Sequence, residues 1–285
     1  MDQRIIDLYD RFTHGALSRR EFLDRLARLA GGSATALALL PLLQNDYARA
    51  AIVPENDEQL TTESVEFDAA GGPLGGYVAR LKGETKRPGV IVIHENRGLN
   101  PHIRDVTRRF ALDGFLALAP DMLSPLGGTP ANENRAREMI RALDGGETLA
   151  RLAAAVPYLV GHPLSIGEVG AVGFCWGGGM ANRLAAAGTS IAASVAYYGA
   201  QLPVDQVPKI TAPLLLHYAG LDERINAGIA AFEAALKANN KPYELHMYEG
   251  VNHAFNNDTS PTRYDKAAAD LAWGRTAEFL KRHLK

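Results

Sequence analysis

Cysteine is almost missing from this chain. Its 285 residues hold one, Cys175. A lone thiol excludes an intrachain disulfide and any cysteine-built zinc site. An excess of basic charge is missing too. The 30 Lys and Arg face 32 Asp and Glu, for a net charge of −2. Too few cations are left over to neutralise a run of phosphates, so a nucleic-acid partner is not expected. Neither G-x-G-x-x-G nor G-x-x-x-x-G-K-[ST] occurs, so nothing supports a nucleotide cofactor. No long hydrophobic run is present. The uncharged stretch from Leu29 to Asn45 is only mildly apolar and contains Pro41, which argues against a stable membrane span. What is there points to a folded chain. Hydrophobic residues make up 47% and charged residues 22%, enough for a sizeable core in one large α/β domain.

Residues 1–50 read differently from the rest. Ser18-Arg19-Arg20-Glu21-Phe22-Leu23 is a twin-arginine pattern, the apolar stretch follows it, and Ala48-Arg49-Ala50 offers an A-x-A site before Ala51. That order is expected of a twin-arginine export signal, with the export machinery as partner and a mature domain over 51–285 in the periplasm. The alternative for the same residues is an amphipathic helix docked on the domain with both arginines exposed.

From residue 65 onward, β-rich runs alternate with helical patterns. Val65–Phe67 and Gly76–Leu81 open the series. Gly89–His94 is continuously apolar, as a strand buried on both faces must be. Further runs cover Gly114–Ala119, Glu168–Phe174, Ala192–Tyr198, Pro213–Ala219 and Tyr243–Tyr248. Helices are expected near 101–112, 131–143, 147–160, 177–187, 226–240 and 263–283. The alternation implies a mostly parallel sheet with helices on both faces. Ligands then bind beyond the carboxyl ends of the strands.

Three polar residues sit at such ends. Gly173-Phe174-Cys175-Trp176-Gly177-Gly178 closes one strand and opens a helix. It is a G-x-nucleophile-x-G elbow with cysteine in place of serine. A helix N-terminus beneath the sulfur favours a thiolate. Asp222 follows the run Pro213–Ala219, and His253 follows Tyr243–Tyr248. Nucleophile, acid and histidine in that chain order are the arrangement of an α/β-hydrolase triad. A buried structural cysteine, a helix-capping aspartate and a loop histidine are the plainer readings of each residue alone. The joint context favours the triad.

With these residues in view, the chain resembles the dienelactone hydrolase family of α/β-hydrolases over roughly residues 60–285. His94-Glu95-Asn96-Arg97-Gly98-Leu99-Asn100, Pro120-Asp121, the elbow, Asp222 and His253-Ala254-Phe255 carry the resemblance. It implies an α/β-hydrolase fold with a twisted sheet of about eight strands. It also implies a metal-free and cofactor-free hydrolase of small ester or lactone substrates. Cys175 would attack, His253 would move protons and Asp222 would orient the imidazole. Glu95 would approach and activate the thiol, and beside it a carboxylate would hold the resting thiol protonated. The backbone N–H groups of Asn96 and Trp176 would form the oxyanion hole. A binding protein on the same fold, or an acyltransferase using the same acyl-enzyme, are the alternatives.

His94-Glu95 begins like a zinc-protease motif, but Gly98 stands at the second ligand position, so zinc is not expected. Tyr197, Tyr198 and Trp176 are candidates to line an acyl pocket, with packing at the strand ends as the plainer reading. The arginines that bind the dienelactone carboxylate in the family would fall near Pro125 and at Asn257, neither of them basic. Neutral substrates are therefore expected to outcompete dienelactone, unless Arg97 or Arg263 reaches the pocket. The remaining histidines show no metal spacing, and His14 falls in the leader.

Overall fold

The computed structural model describes residues 1–49 and 52–285. Three helices come first: α1 (Gln3–Thr13), α2 (Arg19–Leu29) and α3 (Ser33–Leu43). Each of the first two is started by a side-chain cap. Asp2 accepts from the Arg4 N–H, and Ser18 and Glu21 form a reciprocal capping box. The three helices share a small core of Ile5, Leu8, Tyr9, Leu17, Phe22, Leu26, Ala36 and Leu43. Arg19 and Arg20 are exposed. The Ala48–Ala50 site expected from the sequence runs into the undescribed residues. No single helix among the described residues is long and apolar enough to cross a membrane. Only α2 and α3 together pass such a test, and they are bent by 112°.

The main body then alternates strand and helix. In chain order it comprises β1 (Leu60–Phe67), β2 (Leu74–Leu81), β3 (Arg87–Ile93), α4 (Pro101–Leu112), β4 (Leu116–Pro120), α5 (Glu133–Ala142), α6 (Gly145–Ala153), α7 (Ala155–Val160) and β5 (Ser165–Phe174). It continues with α8 (Trp176–Ala185), β6 (Ala193–Tyr197), β7 (Leu214–Ala219), α9 (Glu223–Asn226), α10 (Ile229–Ala238), β8 (Tyr243–Tyr248) and α11 (Lys266–His283). The eight strands form one sheet in the order β1-β2-β4-β3-β5-β6-β7-β8. β1–β2 and β2–β4 pair antiparallel, and every other neighbour is parallel.

The apolar run in β3 shows why the sheet is buried on both sides. Val90 and Val92 point into a core shared with Ile103, Val106 and Phe110 of α4 and Phe279 and Leu280 of α11. Ile91 and Ile93 point the other way, onto Leu152, Leu159, Met180, Leu184 and Phe232. Alternate side chains of a strand face opposite sides, so a strand covered twice must be apolar at every position. The expected helices at 147–160 and 226–240 are each split in two, at Ala154 and near Gly228.

Candidate active site

The elbow is a strained turn. Cys175 has φ of 56° and ψ of −114°, a left-handed φ that a side-chain-bearing residue adopts at a cost of about 1–3 kcal/mol. Its N–H donates to the Tyr197 carbonyl at 3.0 Å, which anchors the turn to β6, and α8 begins at the next residue. The sulfur is buried but lines a cavity of about 370 Å³ together with His14, Asn96, Trp176, Tyr198 and His253.

Asp222 caps α9 just beyond β7, and His253 lies in the turn beyond β8. His253 Nδ1 and Asp222 Oδ2 are 2.5 Å apart, and both residues are buried. Nε2 of His253 is buried and has no hydrogen-bond partner among the described residues. Burial disfavours the imidazolium, but Asp222, Cys175 and Asp10 outweigh it and raise the His253 pKa to about 10. Burial likewise opposes ionisation of Cys175. The imidazoles of His253 and His14 more than offset it and lower the thiol to about 5.

The Cys175 sulfur is hydrogen-bonded to His14, whose Nε2 lies 3.2 Å from Sγ. Sequence reasoning placed His14 in a leader and missed it, because no spacing connects a residue on α1 to an elbow at 175. His14, Cys175 and His253 bring Nε2 or Nδ1 and Sγ atoms within 4.8 Å of one another.

Glu95 is buried in the loop after β3. Its Oε2 accepts from Asn257 Nδ2 at 2.9 Å, and Arg97 Nη1 lies 3.9 Å away. Burial alone would raise its pKa, but His102, Arg97 and Arg263 hold it below the usual carboxylate range. In this structure it is turned towards Asn257, while the sulfur faces His14. Asn96 donates from Nδ2 to the Thr13 carbonyl at 3.1 Å. Trp176 stacks on His94 with ring centres 5.3 Å apart. Tyr198 packs on His253 with ring centres 4.9 Å apart, and its hydroxyl has no hydrogen-bond partner among the described residues. Tyr197 is instead a core residue, its hydroxyl bonded to Thr276 at 2.6 Å.

Arg97 and Arg263 do not enter this cavity. Arg97 donates from Nε to Glu133 at 3.0 Å, and Arg263 donates to Ser260 at 2.9 Å and lies over the Tyr9 ring. Four other arginines do line it: Arg137 and Arg141 from α5, Arg183 from α8 and Arg224 from α9. Among the described residues, no carboxylate lines the cavity beside them. The expectation of a neutral substrate rested on two positions in the chain. The cavity draws its positive charge from other helices, whose convergence the sequence does not display.

An elbow at the end of β5, an acid after β7 and a histidine after β8 are an α/β-hydrolase arrangement on an α/β-hydrolase sheet. The model of the dienelactone hydrolase family matches residues 74–284. The chain belongs to that family, and with it to the carboxylic ester hydrolases that act on esters and lactones. A separate YqhI-like model matches residues 1–32. An Escherichia coli O157:H7 protein named "Putative carboxymethylenebutenolidase" is 31% identical over 251 residues, covering 81% of this chain and 91% of that one. A Bradyrhizobium protein named "Probable 2-oxo-3-(5-oxofuran-2-ylidene)propanoate lactonase" is 32% identical over 241 residues, covering 80% and 96%. The crystal structure of a "Putative Dienelactone Hydrolase" from Klebsiella pneumoniae superposes with a TM-score of 0.71 at 27% identity, covering 77% of this chain and 97% of that one.

Proposed function

We propose that this chain hydrolyses anionic lactones or esters through an acyl-enzyme on Cys175. The thiolate attacks the carbonyl carbon. His253 delivers a proton to the leaving oxygen and then takes one from the attacking water, while Asp222 holds its ring in place. The backbone N–H groups of Asn96 and Trp176 receive the developing oxyanion, each donor being worth about 3 kcal/mol of barrier. Glu95 is the group that approaches the sulfur when substrate enters. The observation that carries the reading is the closeness of Cys175 to a buried His253 already paired with Asp222 at 2.5 Å.

The test is acyl trapping. Mixing the protein with an activated aryl ester and quenching in acid is expected to leave one acyl group, mapped to Cys175 by peptide mass spectrometry. Hydrolysis without any covalent adduct, under conditions that trap other thiol hydrolases, would remove the nucleophile from the mechanism.

The acylation rate should also follow the two titrations. The thiolate is lost as pH falls through about 5, and the His253 imidazolium as pH rises through about 10. Stopped-flow acylation is therefore expected to be level across neutral pH and to fall on both sides. A rate that instead climbs steadily up to the ordinary thiol range, about pH 8.5, would mean the resting sulfur is protonated.

The four arginines support the charge of the substrate. A carboxylated lactone is expected to exceed its methyl ester in kcat/KM. Charge-assisted bonds contribute roughly 1.5–3 kcal/mol each, so Arg183→Ala or Arg141→Ala should cost the free acid about tenfold to a hundredfold. The methyl ester should hardly respond. Equal losses for both substrates would show a packing effect and not charge recognition.

A further inference from the structure

The N-terminal helices pack over the catalytic end of the sheet, and α1 carries an acid–base pair of its own. Asp10 and His14 are one helical turn apart, so they share a face of the chain at that point. His14 Nδ1 lies 2.8 Å from the Asp10 carbonyl and 3.1 Å from Asp10 Oδ1. An imidazole held at Nδ1 by an acceptor presents Nε2 to whatever lies beyond it. Beyond it is Cys175 Sγ, at 3.2 Å. Asp222 and His253 repeat this arrangement from the sheet side, and the two imidazole rings meet edge to face with centres 4.8 Å apart. The sulfur thus has two histidines near it, each backed by a carboxylate.

The position of α1 is held by several unrelated contacts. Gln3 donates to Asn252 at 2.5 Å, the Thr13 carbonyl accepts from Asn96, and Arg224 reaches Asp10 at 3.4 Å. Arg137 lies over the Phe12 ring and Arg263 over Tyr9. Asp10 and His14 lie outside the stretch matched as dienelactone hydrolase and inside the one matched as YqhI-like.

We infer that residues 1–32 are a working part of the active centre, supplying Asp10 and His14 as a second pair that forms and holds the Cys175 thiolate. The step is a single proton transfer. The S–H bond breaks, the proton goes to Nε2 of His14, and the electron pair stays on sulfur. The Asp10 backbone carbonyl accepts from Nδ1–H, and the Asp10 carboxylate 3.1 Å away stabilises the imidazolium that results by its charge. His253 is then left to serve the leaving oxygen and the water.

The charged and titratable groups around the sulfur are consistent with this division. From α1 and its C-cap come Asp10 and His14, from α5 Arg137 and Arg141, from α8 Arg183, from the far side Asp222, Arg224 and His253, and Tyr198 closes one wall. Glu95, on the loop after β3, is engaged with Asn257. Burial disfavours the His14 imidazolium, but Cys175 and Asp10 outweigh it and raise its pKa.

The inference rests on Cys175 as nucleophile, yet its test does not require turnover. Because the chain has one cysteine, iodoacetamide labelling of the full-length protein reports on that sulfur alone. The pH profile of labelling should be measured for wild type, Asp10→Asn, His14→Gln, His253→Gln and the double variant His14→Gln/His253→Gln. His253→Gln is expected to keep a depressed thiol pKa. The double variant should return to the ordinary value of about 8.5 and label about tenfold or more slowly at pH 6–7. Asp10→Asn should move the profile in the same direction as His14→Gln, by less. If His253→Gln and the double variant give superimposable profiles, His14 has no part in the thiolate. Acyl trapping on Cys175 would survive that result, so the two readings fail separately. The mass of the protein isolated from its own cell is the second arm. A chain that retains residue 14 agrees with the inference, and one processed near residue 50 overturns it.

Discussion

Cys175→Ala is expected to lower lactone and ester turnover by about four orders of magnitude or more, because nucleophile and base act as a unit and neither works alone. His253→Ala should come close to the same loss. The fold should survive both changes. The Cys175 side chain lies at the end of the sheet, facing a cavity, so its removal leaves the strands and helices around it in place. Thermal unfolding within a few degrees of wild type, together with rates at the background of uncatalysed hydrolysis, is the expected pair of measurements. Wild-type turnover in Cys175→Ala would assign the chemistry to another group.

Gly177→Ala is expected to damage the protein more deeply. A Cβ there would overlap the carbonyl oxygens of Ile93 and His94, which are backbone and cannot rotate away. The turn from β5 into α8 therefore passes against the end of β3 at a distance that only glycine allows. Overpacking a core commonly costs about 1–3 kcal/mol, and a clash with two backbone oxygens belongs at or beyond the upper end. Urea unfolding should show that loss, or the variant should fail to accumulate. Gly179→Ala is the control two residues on. Its Cβ would meet Ala200 at 3.6 Å, ordinary contact, and alanine favours a helix by about 1 kcal/mol over glycine. Equal stability of the two variants would mean the close approach is not structural.

How far the sequence carried the reading differs from place to place. β3 was legible because a strand buried on both faces has to be apolar throughout, and Val90–Ile93 is. The elbow was legible because its glycines and its cysteine lie within six consecutive residues. Asp222 and His253 were legible because each follows its strand directly, and chain order supplied the rest. Ser18-Arg19-Arg20-Glu21 carries two readings at once. The same four residues spell an export pattern and an S-x-x-E capping box, and the structure forms the box at the start of α2.

By itself, then, the sequence determined the alternating sheet, the elbow with its cysteine, and the chain order of Cys175, Asp222 and His253. These are local patterns, written in residues that are neighbours or lie one strand apart. The tertiary structure alone decided that His14, backed by Asp10, stands beside a sulfur at position 175, and that arginines from α5, α8 and α9 line one cavity. It also turned Glu95 to Asn257 and took Arg97 and Arg263 out of that cavity. Contacts between distant stretches depend on how helices dock, and docking is set by the sum of many apolar and polar contacts. No spacing along the chain records that sum.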